Sequence, residues 1–196
     1  MTGIRAFRPG DEGDLAEICL RTADAGADAS GVLTDDRIWA EVFVLPYVAR
    51  HPELAFVVER DARVLGYAVA APDTRSFEDW FHDEWWPEHG AHFARPGGNP
   101  REVGTLAYAD ARRAGHEPYG DTYPAHLHID LLPEAQGQGW GRRLIGAVVD
   151  ALRERRVSGL HLVASADNHG ALRFYDRLGF ARIPSSRGVQ AFGMAL

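Results

Sequence analysis

The sequence predicts an α/β domain: one central mixed β-sheet flanked by helices. Three observations predict it. Short apolar or alternating runs that read as strands are interleaved with segments of helical periodicity. A glycine-rich loop lies between one such strand and an amphipathic helix. No internal repeat or flexible linker divides the chain, so its 196 residues are taken as a single domain, 1–196.

Ile4-Arg5-Ala6-Phe7 reads as a first strand, closed by Pro9-Gly10. Asp14-Leu15-Ala16-Glu17 has the capping-box pattern, and Leu15, Ile18, Cys19 and Thr22 follow it at helical spacing. A second helix is expected over about 34–50, with Ile38, Trp39, Val42, Phe43 and Pro46 on one stripe and a bend at Pro46. Leu54–Glu59 and Val64–Ala71, separated by Arg60-Asp61-Ala62-Arg63, predict a β-hairpin.

Residues 72–124 break this rhythm and read as a mostly helical and loop insertion, with short helices near 76–86 and 101–113. They hold Trp80, Phe81, Trp85, Trp86 and Phe93 and the turn-rich stretch Arg95-Pro96-Gly97-Gly98-Asn99-Pro100. Such a segment is either a lid or binding surface, or a satellite cluster that packs its own aromatics. From 125 the pattern sharpens. Ala125–Leu132 is a strand, Gln136–Gly141 the glycine loop, and Leu144, Ile145, Val148, Val149 and Leu152 mark the buried face of a helix. Leu160–Ala164 is a strand, Asn168–Leu178 a helix with Gly179 as its C-cap, and Val189–Ala195 a last strand.

Composition excludes several classes. A net charge of −7 argues against nonspecific nucleic-acid binding. No apolar run approaches the ~20 residues of a membrane span, and the N-terminus lacks a signal-peptide pattern, so a cytoplasmic protein is expected. One cysteine, Cys19, excludes an internal disulfide and a multi-cysteine zinc site. Every one of the 21 basic residues is Arg. Residues 72–124 carry ten acidic residues against five Arg, whereas 133–196 carry five against nine, so one surface favours cations and another tolerates a polyanion.

The glycine loop has a mechanism behind it. Glycines let backbone approach an anion closely, and a helix N-terminus supplies unpaired N–H groups and a positive dipole end. Arg142 and Arg143 add cations where the helix begins. A pyrophosphate is the natural ligand, against the alternative of a purely structural turn. Gly137, Gly139 and Gly141 have the wrong spacing for a dinucleotide fingerprint, and no Gly-Lys-Ser/Thr is present.

Leu131-Leu132-Pro133-Glu134-Ala135-Gln136-Gly137-Gln138-Gly139-Trp140-Gly141 resembles motif A of the GNAT superfamily of N-acetyltransferases, which binds the pyrophosphate of acetyl-CoA. Asn168-His169-Gly170-Ala171-Leu172-Arg173-Phe174-Tyr175-Asp176-Arg177-Leu178-Gly179-Phe180 resembles motif B. The run Tyr123–Leu132 is also similar to the acetyltransferase-like domain of O-GlcNAcase-type proteins. The resemblance implies a GNAT-like fold and direct attack of an amine on the thioester, without a covalent intermediate. It assigns cofactor binding to Leu131, Leu132, Gln136, Gly137, Gln138, Gly139, Trp140, Gly141, Arg142, Arg143, Asn168 and Arg173. It places Tyr175 at the general-acid position, although Tyr175 also falls on its helix's apolar stripe. Asn168 also suits an N-cap.

For the base, His126, His128 and Asp130 share one strand face at i, i+2, i+4, where a carboxylate beside imidazoles is expected to raise their basicity. The same row admits a metal, but same-face neighbours ~6.6 Å apart stretch a single-strand ligand set, and no metal is expected. A bulge in this strand would change which side chains reach the amine. The expected acceptor is a small-molecule or peptide amine, cationic, such as a lysine side chain or polyamine, with no nucleic-acid or membrane partner. The alternative is a module that binds acetyl-CoA with little or no turnover.

Overall fold

The computed structural model describes residues 2–93 and 99–196. Seven strands form one mixed sheet: β1 (Thr2–Ala6), β2 (Ala55–Arg60), β3 (Arg63–Ala71), β4 (Ala125–Leu131), β5 (Gly159–Ser165), β6 (Ala181–Ile183) and β7 (Val189–Ala195), in the spatial order β1-β2-β3-β4-β5-β7-β6. Neighbours pair antiparallel except β4 and β5, which run parallel. One face is covered by α1 (Glu12–Leu20), α2 (Arg37–Phe43), α3 (Leu45–Arg50), α4 (Thr74–Trp80), α5 (Trp86–His89) and α6 (Pro100–Ala111). The other is covered by α7 (Trp140–Glu154) and α8 (His169–Leu178). Among the described residues no helix is long and apolar enough to cross a membrane.

Alternation along β4 divides the two cores. Ala125, Leu127, Ile129 and Leu131 pack toward α7 and α8, so His126, His128 and Asp130 face the other layer. Helix α7 buries Leu144, Val148 and Leu152 completely, each worth about 1.5–3 kcal/mol of transfer free energy. The hairpin turns at Asp61 and Ala62, both at positive φ (50° and 63°), which suits the right-handed twist of the strands it joins.

Several elements differ from expectation. Helix α1 begins at Glu12, so Asp14 and Glu17 lie inside it and form no capping box. Asp11 is committed instead to Arg5, at 2.7 and 2.9 Å, and to the Arg8 amide. The segment 34–50 is two helices, because Val44 leaves helical geometry (φ −137°) and Pro46 sits in the first turn of α3. Strand β6 was not anticipated; three largely exposed residues leave no periodicity to detect. Of the turn-rich stretch, 95–98 lies outside the described residues.

The insertion packs its aromatics. Phe77, Phe81, Trp86 and Phe93 are buried, while the Trp85 and Trp86 indoles donate to the Glu41 carbonyl and to Asp110. It also holds the segment between α1 and α2. Glu102 accepts hydrogen bonds from the Thr34 amide and hydroxyl, Asn99 donates to the Val32 carbonyl, and Arg101 pairs with Asp24 at 2.6 Å.

Candidate active site

The strands β4 and β5 are joined by only two rungs, Ala125–Leu160 and His126–His161, and then part. A cavity of about 470 Å³ opens where they separate, between the end of β4, the glycine loop and α8. Gly137 and Gly139 hold φ of +72° and +82°, the left-handed region, where a side chain would be strained. The first bond inside α7 runs from the Arg143 amide to the Gly139 carbonyl. The amides of Trp140, Gly141 and Arg142 are therefore left without helical acceptors, on the cavity wall. A cluster of free N–H groups at the positive end of a 15-residue helix fits a pyrophosphate. Gly141 is there for a different reason: a Cβ would stand 3.0 Å from the Phe174 ring.

Leu131, Gln136, Gly137, Gly139, Trp140, Gly141, Arg142 and Asn168 line this cavity as the sequence suggested. Leu132 does not, because its amide donates to the Leu65 carbonyl at 2.9 Å. Since N–H directions alternate along a strand, the amides of Leu131 and Ile129 are the ones that point away from β3 into the gap. Gln138 is taken up by the Glu134 carbonyl and by Arg60, Arg143 lies over the Trp140 ring, and neither they nor Arg173 reach the wall. Thr22, Ile129, Phe174 and Arg177 join it without having been singled out. Asn168 caps α8 through the Ala171 amide, at 3.0 Å. Its Nδ2 lies close against Gly26, so the α1–α2 segment spans from one layer to the other beside the cavity.

Tyr175 is both a packed residue and a cavity-lining one. Its ring packs on Phe180 and Phe192, with 7% of the residue exposed, yet it lies on the cavity wall. Burial, and secondarily the charge of Asp130, push the phenol well above its ordinary value, so it carries its proton at neutral pH.

The His-His-Asp row shares one face but not one function. His126 has both ring nitrogens engaged: Nε2 with the Tyr47 hydroxyl at 2.7 Å, Nδ1 with Thr74 at 2.9 Å. Thr74 gives its own hydrogen to the Pro124 carbonyl, so Nδ1 carries the proton and Nε2 accepts. Asp130 accepts from Tyr67 at 2.6 Å and lines the large cavity. The expected rise in imidazole basicity is reversed. Burial first, then the Arg112 cation and neighbouring imidazoles, hold His126 well below the usual range and push His128 down to about 3. Strand β4 keeps continuous register with β3 from His126 to Leu131, without a bulge. Among the described residues no three His, Cys, Asp or Glu side chains are grouped to hold a metal ion.

A second cavity of about 170 Å³ lies at the base of the gap, on the α2 and α6 side. Phe43, Tyr108, Arg112, Glu117, His128, His161 and Val163 line it. Arg112 is 1% exposed and lies over four rings, those of Tyr47, Phe77, Phe81 and Tyr108. Its guanidinium donates to the Val42 carbonyl and, at 2.6 Å, to the Tyr47 hydroxyl. Sequence reasoning missed Arg112, Glu117 and His161. Two lie in the irregular insertion, and His161 reads as an isolated core residue of a strand.

The family model described as the acetyltransferase (GNAT) family matches residues 24–180. A mycothiol acetyltransferase of Acidothermus cellulolyticus is 32% identical over 185 residues, covering 90% of this chain and 44% of that protein. The protein O-GlcNAcase of Rattus norvegicus is 21% identical over 189 residues, covering 94% of this chain and 20% of that one. The crystal structure of SsHAT superposes with a TM-score of 0.90 at 36% identity, over 99% of this chain and 98% of that one. The chain spans less than half the length of the curated relatives it matches.

Proposed function

The chain belongs to the acetyltransferase (GNAT) family, and we propose that it moves the acetyl group of acetyl-CoA to a primary amine, small or peptide-borne and cationic, by direct attack on the thioester. The observation that carries this reading is the parting of β4 and β5 beside an open helix N-terminus, with a buried phenol on the wall between them.

Each step falls to a named group. The amides of Trp140, Gly141 and Arg142 would hold the pyrophosphate, and those of Ile129 and Leu131 the pantetheine and the thioester oxygen. As the nitrogen–carbon bond forms, negative charge grows on that oxygen, where fixed N–H donors stabilise it. The carbon–sulfur bond then breaks, and Tyr175 gives the departing sulfur its proton and recovers the one that the amide nitrogen sheds. The acceptor enters from the α2 and α6 side through the smaller cavity, whose wall the insertion supplies with Tyr108, Arg112 and Glu117.

Release of free thiol from acetyl-CoA with a panel of primary amines tests this reading. The panel includes the acceptor of the mycothiol acetyltransferases, given the likeness to them. The likeness to O-GlcNAcase keeps one competitor in view, a domain that binds acetyl-CoA without turnover. That competitor predicts a thermal shift with acetyl-CoA and no amine-dependent thiol.

A further inference from the structure

Two buried polar atoms without a partner lie on residues of the smaller cavity, and they are of opposite kinds. His161 Nδ1 is 2.8 Å from the Tyr123 carbonyl, which can only accept, so Nδ1 carries the hydrogen and Nε2 is a bare lone pair. That Nε2 is buried with no hydrogen-bond partner. Arg112 Nε is a buried donor, also without one. A buried polar atom left unpaired is costly, and the cost is offset where a ligand completes the bond.

We propose that His161 is the base of this enzyme: its Nε2 takes the proton of the acceptor ammonium seated in the smaller cavity. The inference rests on the acetyltransferase reading above and deepens it. The amine gives one proton to Nε2, and its freed lone pair then attacks the thioester carbon.

The arrangement meets the requirements of a base more fully than His126 does. The Tyr123 carbonyl fixes the tautomer and orients the ring, as a backbone oxygen commonly does for a working imidazole. His126 by contrast has no free nitrogen. The groups that face His161 are Glu117, Arg112 and Tyr119 from the insertion, His126 and His128 from β4, and the Tyr123 and Ala125 carbonyls. Burial holds the imidazole below its ordinary value, so it is neutral and ready to accept at pH 7. The Tyr123 carbonyl and then the Glu117 carboxylate pull the other way and favour the imidazolium once it forms.

The test is the pH dependence of kcat/KM for the wild type, His161→Gln and Glu117→Gln, with acetyl-CoA affinity measured beside it. His161→Gln should bind acetyl-CoA as the wild type does, lose about 10²–10⁴-fold in kcat, and lose the acidic limb of the profile. Glu117→Gln removes the charge that favours the imidazolium, so that limb should move to lower pH. It serves as the independent variant if His161→Gln fails to fold. A folded His161→Gln enzyme within threefold of wild-type kcat, or an acidic limb unmoved by Glu117→Gln, overturns the proposal while leaving the acetyltransferase reading intact. Wild-type protein that releases no thiol with any amine removes both.

Discussion

His126 and His161 face one another across the last rung that joins β4 to β5, their ring centroids 5.7 Å apart. Beyond this pair the sheet opens. The two imidazoles thus mark the floor of the gap, and their hydrogen bonding differs. One is locked between Tyr47 and Thr74, while the other keeps a lone pair free.

Tyr175→Phe should lower kcat by about 10²–10⁴-fold and leave the KM for acetyl-CoA almost unchanged. The ring would still pack against Phe180 and Phe192, so only the phenolic proton is lost. Steady-state kinetics together with a melting curve check this, and an unchanged kcat returns Tyr175 to a packing role.

Substitutions at two glycines of the same loop should separate binding from folding. Around Gly139 a Cβ meets nothing within 4 Å, so Gly139→Ala strains the left-handed backbone and reshapes the anion seat. Its melting temperature should fall modestly while the shift produced by saturating acetyl-CoA, about 2.7 kcal/mol at 100 times Kd, shrinks sharply. Gly141→Ala instead pushes against Phe174 and should destabilise the free protein first. Thermal shift with and without acetyl-CoA distinguishes the two outcomes.

The fold was legible wherever periodicity was strong, as in the hairpin, the helix α7 and the last strand. The geometry of the glycine loop was legible because it is local: backbone shape and helix end are both written in neighbouring residues. The second cavity was not legible. Arg112, Glu117 and His161 are separated in sequence and meet only because α6 and the loop after it fold back over β4 and β5. The basicity of the β4 imidazoles was misjudged for a related reason. The nearby carboxylate, Asp130, is bonded to Tyr67, while a cation 14 positions upstream of His126 lies at hydrogen-bonding distance from its ring.

Arg112→Met should be costly even though it removes a charge from the interior. The Tyr47 hydroxyl and the Val42 carbonyl lose their donor. A loss of about 3 kcal/mol or more is expected, a fall of roughly 6–12 °C in Tm for a domain of this size. A melting temperature within 2 °C of wild type would show that the aromatic cage needs no cation.

Asp11 gives a pH signature of folding. Its carboxylate is held below its ordinary value of 3.8, chiefly by the hydrogen bonds from Arg5, with the Arg8 amide adding to them. A group whose folded pKa is depressed contributes stability above its unfolded pKa and loses it as pH falls through the folded one. Asp11→Asn should therefore cost about 1–2 kcal/mol at pH 7, and the difference from wild type should shrink as pH falls below 3.8 and through the folded value. Urea denaturation across that range measures it.

Free-thiol release from acetyl-CoA, followed with and without a panel of primary amines, tests the central claim most directly. The account predicts release that depends on the amine, is strongest with cationic amines, and is lost in Tyr175→Phe. Binding of acetyl-CoA with no amine-dependent thiol release would contradict it and leave the chain a cofactor-binding domain.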